Sequence, residues 1–241
     1  MKRPANVQTD SIQLEPLAEG ALLLRLGKHV DVTINARVHA AGAMLQRQLP
    51  SLECIPAYAS VLLRFDPQAW RDANATNPHS ALERAVRAAL DAGEISQQVS
   101  REQEIPVCYG GTHGPDLAEA ARHLDLSINE VITRHAAASY HVAMIGFAPG
   151  FPYLLGLDPT LVMPRRNDPR QRVPAGSVAI GGAQTGIYPT ELPGGWQLIG
   201  RTPLRLFDVT ATSPSLLTAG DRVRFCAIDE DEFLCLEAGL R

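Results

Sequence analysis

Residues 146–203 read GFAPGFPYLLGLDPTLVMPRRNDPRQRVPAGSVAIGGAQTGIYPTELPGGWQLIGRTP, and they are the most informative part of the chain for its architecture. These 58 residues hold ten glycines and nine prolines, about half of the 19 glycines and 18 prolines in the chain. Disordered linkers share this composition, but they lack apolar anchors. Here the anchors are Phe147, Phe151, Tyr153, Ile180, Ile187, Tyr188, Trp196 and Ile199. The combination predicts a rigid β structure with many loops, as in barrels and sandwiches.

The chain before this stretch alternates strand and helix signals. The predicted strands are 12–17, 21–26, 52–57 and 60–65, and the predicted helices are 31–48, capped by Asp31, and 80–92. The order β-β-α-β-β-α predicts a small α+β domain with helices on one antiparallel sheet. A polar stretch at 97–100 marks the expected boundary between domains 1–97 and 98–241.

The second domain is predicted to begin with a strand at 105–109 and two short helices at 116–123 and 128–138. Ser127 and Glu130 form the S-x-x-E pattern of a capping box. A DNA-binding helix-turn-helix is disfavoured because the second helix carries few cations. Strand-like runs at 204–207 and 222–226 close the chain. The predicted class is therefore α+β, with a small α+β sandwich domain followed by a β domain that is a barrel or a sandwich.

Charge and composition exclude several functions. The formal net charge of -4 gives no reason to bind nucleic acid. No apolar stretch is long enough to span a bilayer, and the start of the chain does not read as a signal peptide, so a cytoplasmic location is expected. The four cysteines lack zinc or CxxC spacing, which indicates buried thiols in a reducing compartment. Lysine is confined to Lys2 and Lys28, so later anion sites must use arginine.

The segment at 164–174, PRRNDPRQRVP, places four arginines between prolines. A charge run is usually a solvated face. However, an arginine on a proline-stiffened loop loses less freedom when it binds an anion. We therefore expect Arg165, Arg166 or Arg170 to hold a carboxylate, a phosphate or an oxyanion.

Two neighbouring segments are candidate walls of the same site. The turn GFAPGFPYL at 146–154 reads equally as a structural corner or as a preshaped wall of a cleft, which gives four substrate-binding candidates: Phe147, Pro149, Gly150 and Phe151. The segment GGAQTGIYP at 181–189 has glycines at P-loop spacing but lacks the lysine and hydroxyl, so it is not a Walker A motif. It supplies four further candidates as oxyanion or substrate contacts: Gly182, Gln184, Thr185 and Tyr188.

The histidines give weaker signals. No H-E-x-x-H or cysteine–histidine spacing supports a metal site. A lone histidine is more often packing than chemistry, because titration near neutral pH only makes it available for catalysis. His135 is the best candidate for a general acid or base. The predicted catalytic group is thus His135, Arg165, Arg166 and Gln184.

Four blocks carry a resemblance to a known family. They are PVCYGGTHGPDL from residue 106, GFAPGFPYLLGL from 146, PRRNDPRQRVPAGSVAIGGAQTGIYP from 164 and PGGWQLIGRTPLRLFD from 193. The chain resembles the KipI-like or allophanate hydrolase subunit 1 family, also described as carboxyltransferase subdomain C and D. The loop at 190–193 departs from the family pattern, where a serine is expected before the proline.

The resemblance implies a small N-terminal α+β domain and a C-terminal cyclophilin-like β-barrel. Members of this family act with a homologous KipA-like partner. The implied activity is that of the B subunit of an ATP-dependent 5-oxoprolinase, which opens 5-oxo-L-proline to L-glutamate together with a LamB/YcsF-like partner and a KipA-like partner. ATP is then the cofactor of the complex, and this chain is expected to carry no metal or biotin-attachment site and to be inactive alone.

Two alternatives stay open within the resemblance. One is a carboxyltransferase component acting on urea, and the other is an inhibitor of a histidine kinase. The 5-oxoprolinase activity fits the residues best, because opening a lactam needs preorganised donors where negative charge develops. The apolar anchors of 146–203 are also expected to expose more surface than a monomer usually leaves in water, so a partner protein should cover part of them.

Overall fold

The computed structural model describes residues 12–71, 77–92 and 100–239. The chain divides into two compact units, Met1–Val99 and Ser100–Arg241. The boundary predicted between residues 97 and 98 lies outside the described residues, as does most of the N-terminal segment considered as a signal sequence. Within the described part, no helix is both long and apolar enough to cross a membrane.

The first unit is a four-stranded antiparallel sheet in the order β1-β2-β4-β3, with two helices sharing its apolar core. Its elements are β1 (Gln13–Ala18), β2 (Ala21–Arg25), α1 (Val32–Gln48), β3 (Glu53–Pro56), β4 (Ser60–Arg64) and α2 (Pro78–Ala92). Alternate residues of the central strands point into the core, as Leu22 and Leu24 do on β2. This is the element order predicted from the sequence.

Both helices of the first unit begin at a side-chain cap. The Asp31 carboxylate accepts the backbone N–H groups of Thr33 and Ile34 at 2.8 and 3.0 Å, as predicted. Helix α2 begins two residues earlier than expected. The cause is Asn77, whose side chain accepts the His79 N–H at 3.0 Å, while Pro78 suits the first helical position.

The second unit contains nine strands and three α-helices among its described residues. They are β5 (Glu102–Tyr109), α3 (Leu117–His123), α4 (Ile128–Ala137), β6 (Tyr140–Ile145), β7 (Pro152–Leu155), β8 (Arg170–Val173), β9 (Ser177–Gly181), β10 (Gln184–Ile187), β11 (Leu192–Gly194), β12 (Gln197–Arg201), β13 (Arg222–Ile228) and α5 (Glu230–Gly239). The predicted capping box of α4 is present, with Ser127 and Glu130 bonding each other's backbone.

Seven of these strands close into a barrel in the order β10-β7-β6-β13-β5-β12-β9, and β9 pairs back with β10. The β5–β13 pair is parallel and the other barrel pairs are antiparallel. Closure gives every strand of the barrel a neighbour on both sides. Strands β8 and β11 form a separate two-stranded ribbon. The predicted α+β class with a C-terminal barrel is therefore confirmed.

The barrel interior is filled by large apolar side chains from most of its strands, including Ile105, Val142, Leu154, Ile180 and Phe225, all at most 1% exposed. Burying one such side chain stabilises a fold by roughly 1.5–3 kcal/mol. The barrel is therefore a packed core and not an open channel. Sites on this unit must lie on its outer surface and its loops.

Two details differ from the sequence expectation. Residues 204–207 form no strand, and Phe207 makes only an isolated bridge to Ser215. Helix α5 was not predicted, because it lacks a strong apolar stripe: Phe233 is buried, whereas Leu234 and Leu236 are exposed.

Candidate functional site

The turn between β6 and β7 is closed by its own backbone. Gly146 N–H donates to the Phe151 carbonyl at 3.1 Å, and Phe151 N–H donates to the Ala148 carbonyl at 3.0 Å. Two residues adopt positive φ, Phe147 at 68° and Gly150 at 78°. Glycine adopts this conformation freely, but a phenylalanine there is strained. Phe147 is also 63% exposed, so the turn presents an aromatic ring to its surroundings.

An aromatic cluster extends inward from this turn, with Phe151 at its centre. The ring of Phe151 lies 5.0–5.8 Å, centroid to centroid, from its neighbours Phe147, Tyr153, Tyr188 and Trp196. The T-shaped contacts in this cluster are a favoured geometry for aromatic pairs. Phe151, Tyr188 and Trp196 are at most 5% exposed. The expectation that the apolar anchors lie open in the free chain is therefore wrong for most of them, since their own fold covers them.

Trp196 explains the glycines at P-loop spacing. A Cβ added to Gly181 would lie 2.6–2.7 Å from the indole of Trp196, and one added to Gly186 would lie 3.1 Å from it. The two glycines therefore make space for an aromatic ring. Gly182, in the hairpin turn between β9 and β10, uses its N–H to bond the Met163 carbonyl at 2.8 Å. That N–H is not available to an oxyanion.

The segment 164–174, called the arginine loop from here on, holds arginines with different partners. Arg166 and Arg170 both bond the carboxylate of Asp116, whose side chain is 5% exposed. The same carboxylate accepts the Leu198 backbone N–H at 2.7 Å. Two of the three predicted anion-binding arginines are thus held by an acid of their own fold.

Arg165 is the third of the predicted anion-binding arginines and is placed differently. Its guanidinium carbon lies 5.6 Å from the ring centroid of Trp196, a cation–π arrangement. Among the residues described, it makes no ion pair. Gln184 is half-buried at the start of β10, paired in register with Gly181 under the same indole. The structure thus brings Arg165 and Gln184 to the Trp196 end of the aromatic cluster.

His135 and Thr185 lie inside the barrel, both 0% exposed. The Thr185 hydroxyl donates to the Ala179 carbonyl at 2.9 Å, so it accepts a bond from His135 Nε2, 3.1 Å away. His135 Nδ1 then accepts the Tyr109 hydroxyl at 2.8 Å. This directed chain fixes the neutral tautomer with the proton on Nε2.

The pKa values of the groups in this buried hydrogen-bond chain oppose proton transfer. Burial lowers the pKa of His135 to about 3 from 6.5 and raises the pKa of Tyr109 and Tyr140. The His135 ring stacks on Phe225, with centroids 4.6 Å apart. A neutral imidazole enclosed by aromatic rings has no route to a substrate in this conformation. The geometry gives His135 and Thr185 a structural position and not a place in a cleft.

A pocket of about 590 Å³ lies beside the turn at Pro149. Its other walls come from 175–176, 189–190, most of 201–209, and Glu237 of α5. Its size is ordinary for a small-molecule site. Pro149 is the predicted site residue that lines it. Gly150 supports the same wall, since a Cβ there would lie 2.8 Å from Phe207 Cβ.

Three residues of this region were not foreseen as site residues from the sequence: Asp116, Trp196 and Arg201. Asp116 follows a glycine-rich loop and is distant in sequence from the arginines that it binds. Arg201 ends β12 and lines the pocket, with Nε donating to the Ala175 carbonyl at 2.8 Å. The available sequence signal for Arg201 was the block GWQLIGR, in which a charged residue ends a buried strand.

Within the described residues, no three His, Cys, Asp or Glu side chains gather as a metal site requires.

Comparison with known proteins places these features in a family. The model of the carboxyltransferase domain, subdomain C and D, matches residues 12–217. The B subunit of the 5-oxoprolinase of Bacillus subtilis (strain 168) is 43% identical over 232 residues, which cover 92% of this chain and 95% of that protein.

Solved structures agree on the fold. The crystal structure of TTHA0988 is 38% identical with a TM-score of 0.74, covering 87% of this chain but only 40% of that longer one. The Kluyveromyces lactis urea carboxylase, at 23% identity and a TM-score of 0.71, shares the fold over 95% of this chain and 23% of its own. The family model covers most of the chain, so this chain belongs to the family of the carboxyltransferase domain, subdomain C and D.

Proposed function

We propose that this chain is the B subunit of an ATP-dependent 5-oxoprolinase complex, which opens 5-oxo-L-proline to L-glutamate. The observation that carries the proposal is the likeness to the Bacillus subtilis protein of that name, which extends over nearly the whole of both chains. The proposal also makes the chain a cytoplasmic component that is inactive alone.

The chemistry explains why several subunits and ATP are needed. The carbonyl of a lactam resists attack by water, and transfer of the γ-phosphoryl group of ATP to its oxygen creates a leaving group. Water then adds to the activated carbon and the ring C–N bond opens with protonation of nitrogen, which leaves an acyl phosphate. A second water hydrolyses this acyl phosphate, so that phosphate leaves and the new carboxylate of glutamate forms. Negative charge develops on oxygen in both stages, and fixed donors stabilise it best.

Arg165 and Gln184 are the donors that this chain offers to that charge. Arg165 lies over the ring of Trp196, Gln184 pairs with Gly181 next to that indole, and neither has an acidic partner among the described residues. Arg166 and Arg170 instead act as positioning residues, because Asp116 holds them and thereby fixes the loop that carries Arg165. Phe147, Phe151 and Tyr188 form the aromatic wall beside these groups.

The nucleotide is proposed to bind with residues of other subunits. The glycine segment that most resembles a phosphate cradle is filled by the indole of Trp196, and the N–H of Gly182 is bonded within the fold. The proposed partners are a KipA-like protein and a LamB/YcsF-like protein. Two observations support partners: the relative is named as a subunit, and TTHA0988 is a longer chain of which this one matches 40%.

The carboxyltransferase alternative has weaker support. The likeness to urea carboxylase is at 23% identity and shows the fold alone. No contact in the described structure favours a histidine-kinase inhibitor. Both alternatives are therefore kept as outcomes of the test.

The test is a substrate panel for the complex of this chain with its two partners. ADP formation and product release are measured with 5-oxo-L-proline, 2-pyrrolidinone and urea, and the autophosphorylation of a histidine kinase is measured with and without the chain. We expect ADP and glutamate to appear together with 5-oxo-L-proline. Turnover of urea would instead support the carboxyltransferase alternative. Kinase inhibition without any lactam turnover would support the inhibitor alternative.

A further inference from the structure

Arginines of the second unit are mostly neutralised by the fold. Seven of them have an acidic partner, for example Arg101 with Asp221 and Arg205 with Asp208. Four described arginines of this unit have no ion-pair partner within residues 100–239: Arg122, Arg165, Arg201 and Arg222. Of these, Arg201 is the one that lines the pocket beside Pro149, and the one hydrogen bond of its side chain runs from Nε to a backbone carbonyl. Its two terminal nitrogens are therefore left for something outside the described residues.

The guanidinium of Arg201 is held in place before any ligand arrives. Nε bonds the Ala175 carbonyl, and the guanidinium carbon lies 5.8 Å from the ring centroid of Phe233 on α5. Its backbone belongs to β12, inside the barrel sheet between β9 and β5. The hydrogen bond from Nε and the packing against the Phe233 ring both restrain the guanidinium. Such an arginine loses little conformational entropy when its remaining nitrogens bind a planar anion.

A glycine beside it maintains this arrangement. Gly176 has a φ of 81°, and its carbonyl accepts the Thr202 N–H at 2.9 Å. A Cβ at position 176 would lie 2.3 Å from the Thr202 carbonyl oxygen and 3.4 Å from Arg201 Cγ. Only a residue without a side chain lets the two strand ends approach so closely. The backbone is therefore closely packed in the pocket wall next to Arg201.

The remaining pocket walls indicate the shape of the ligand. Pro149, Leu204 and Phe207 supply apolar surface around the arginine. The acid Asp208 also lines the pocket, but Arg205 Nη1 binds it at 3.0 Å. The second acid of the lining is Glu237, which already takes part in another interaction. An unpaired, preorganised cation with apolar walls fits a compact ring that carries one carboxylate.

We infer that Arg201 binds the substrate carboxylate in this pocket, which makes the pocket the binding site for a small cyclic monocarboxylate. The inference rests on the proposed function, under which that ligand is 5-oxo-L-proline. It assigns the carboxylate to Arg201 because Arg205, the other arginine of the pocket lining, is paired with Asp208. Arg201 is thus a specificity-determining residue.

The experiment uses the complete complex and two lactams. 2-Pyrrolidinone is the same ring without the carboxylate, so wild type should prefer 5-oxo-L-proline through Arg201. The variants are Arg201→Ala and Arg201→Lys, and the matched control is Arg224→Ala, another strand arginine, which pairs with Glu104 outside the pocket. Gel filtration and thermal melting confirm that each variant folds and assembles.

In Arg201→Ala we expect the KM for 5-oxo-L-proline to rise about ten- to a hundredfold with kcat changed much less, as for loss of a charged hydrogen bond. The preference for 5-oxo-L-proline over 2-pyrrolidinone should collapse by a similar factor. Arg201→Lys should be nearly as impaired, because one ammonium cannot bond Ala175 and also grip a carboxylate with two prongs. Arg224→Ala should behave as wild type.

Three outcomes would overturn the inference. If the KM and the preference survive in Arg201→Ala, the carboxylate is bound elsewhere, although the complex is still a 5-oxoprolinase. If both lactams lose activity equally, Arg201 is only structural. If wild type does not turn over 5-oxo-L-proline at all, the proposed function fails first and the inference falls with it.

Discussion

Asp116 binds Arg170 through both carboxylate oxygens: Arg170 Nη1 donates to Oδ2 at 2.9 Å, and Nη2 donates to Oδ1 at 2.6 Å. Arg166 adds a bond to Oδ1 at 3.2 Å. The Leu198 N–H connects the same carboxylate to barrel strand β12. One buried acid therefore fixes the arginine loop to the barrel, and the loop is a built part of the fold and not a solvated face.

Removal of this acid should destabilise the protein. In Asp116→Ala the two arginines keep their charge without a partner, and the Leu198 N–H loses its acceptor. We expect the free energy of unfolding to fall by about 3 kcal/mol, measured by denaturant unfolding. Asp168→Asn is the matched control, because Asp168 is exposed on the same loop and should change stability by less than about 0.5 kcal/mol. Equal effects of the two variants would show that the Asp116 network is not stabilising.

The packing of the Trp196 indole against Gly181 gives a second prediction. A methyl group at Gly181 would overlap the indole at 2.6 Å, so Gly181→Ala must displace the ring or the strand. We expect a loss of about 1–3 kcal/mol in the unfolding free energy. Gly146→Ala is the control, since its new Cβ meets only Tyr153 Cε2 at 3.8 Å. If Gly181→Ala does not lower the unfolding free energy, the segment 181–189 becomes a candidate ligand-binding loop again.

The buried His135 should make the protein sensitive to acid. Its pKa is about 3 when folded, against 6.5 for the ordinary side chain, so between these pH values only the unfolded chain binds this proton. Stability should therefore fall as the pH drops from about 6.5, by up to ~1.4 kcal/mol per pH unit. His135→Gln keeps a donor and an acceptor but does not titrate. Its unfolding free energy, followed from pH 7 to pH 4, should show a slope shallower by about one proton, and equal slopes would refute the burial argument.

The exposed ring of Phe147 should contribute to assembly. It is 63% exposed and held at a strained φ of 68°, whereas its aromatic neighbours are covered. Phe147→Ala should change the stability of the free chain by less than about 1 kcal/mol but weaken binding to the KipA-like partner about tenfold or more, measured by titration calorimetry. Ile128→Ala removes another exposed apolar side chain, 45% exposed on α4, and should leave binding unchanged. Unchanged affinity in both variants would place the interface elsewhere.

The sequence predicted the fold more successfully than the site, for a physical reason. Local signals such as the Asp31 cap, the Ser127–Glu130 capping box and the apolar alternation act over a few residues, and each appears where it was expected. The composition of 146–203 predicted a loop-rich β structure, a barrel or a sandwich, because glycine and proline act on the backbone locally. Helix α5 was missed because a single buried ring, Phe233, leaves almost no periodic signal.

The site depends on contacts between residues far apart in the chain. The arginine cluster was visible, but Asp116, which neutralises two of its members, lies 50 residues before Arg166 and 54 before Arg170. The glycine spacing was visible too, but its meaning depended on the position of Trp196. A sequence records which residues are charged and not which charges are already paired. For that reason the unpaired Arg201 was not foreseen.

Glutamate release from 5-oxo-L-proline by the two partner proteins, measured with and without this chain, is the decisive experiment for the proposed function. We predict that glutamate and ADP appear together when this chain is present and that neither the partners nor this chain alone form glutamate. Glutamate release by the partners at an undiminished rate without this chain would contradict the proposal, as would a fully assembled complex that leaves 5-oxo-L-proline intact.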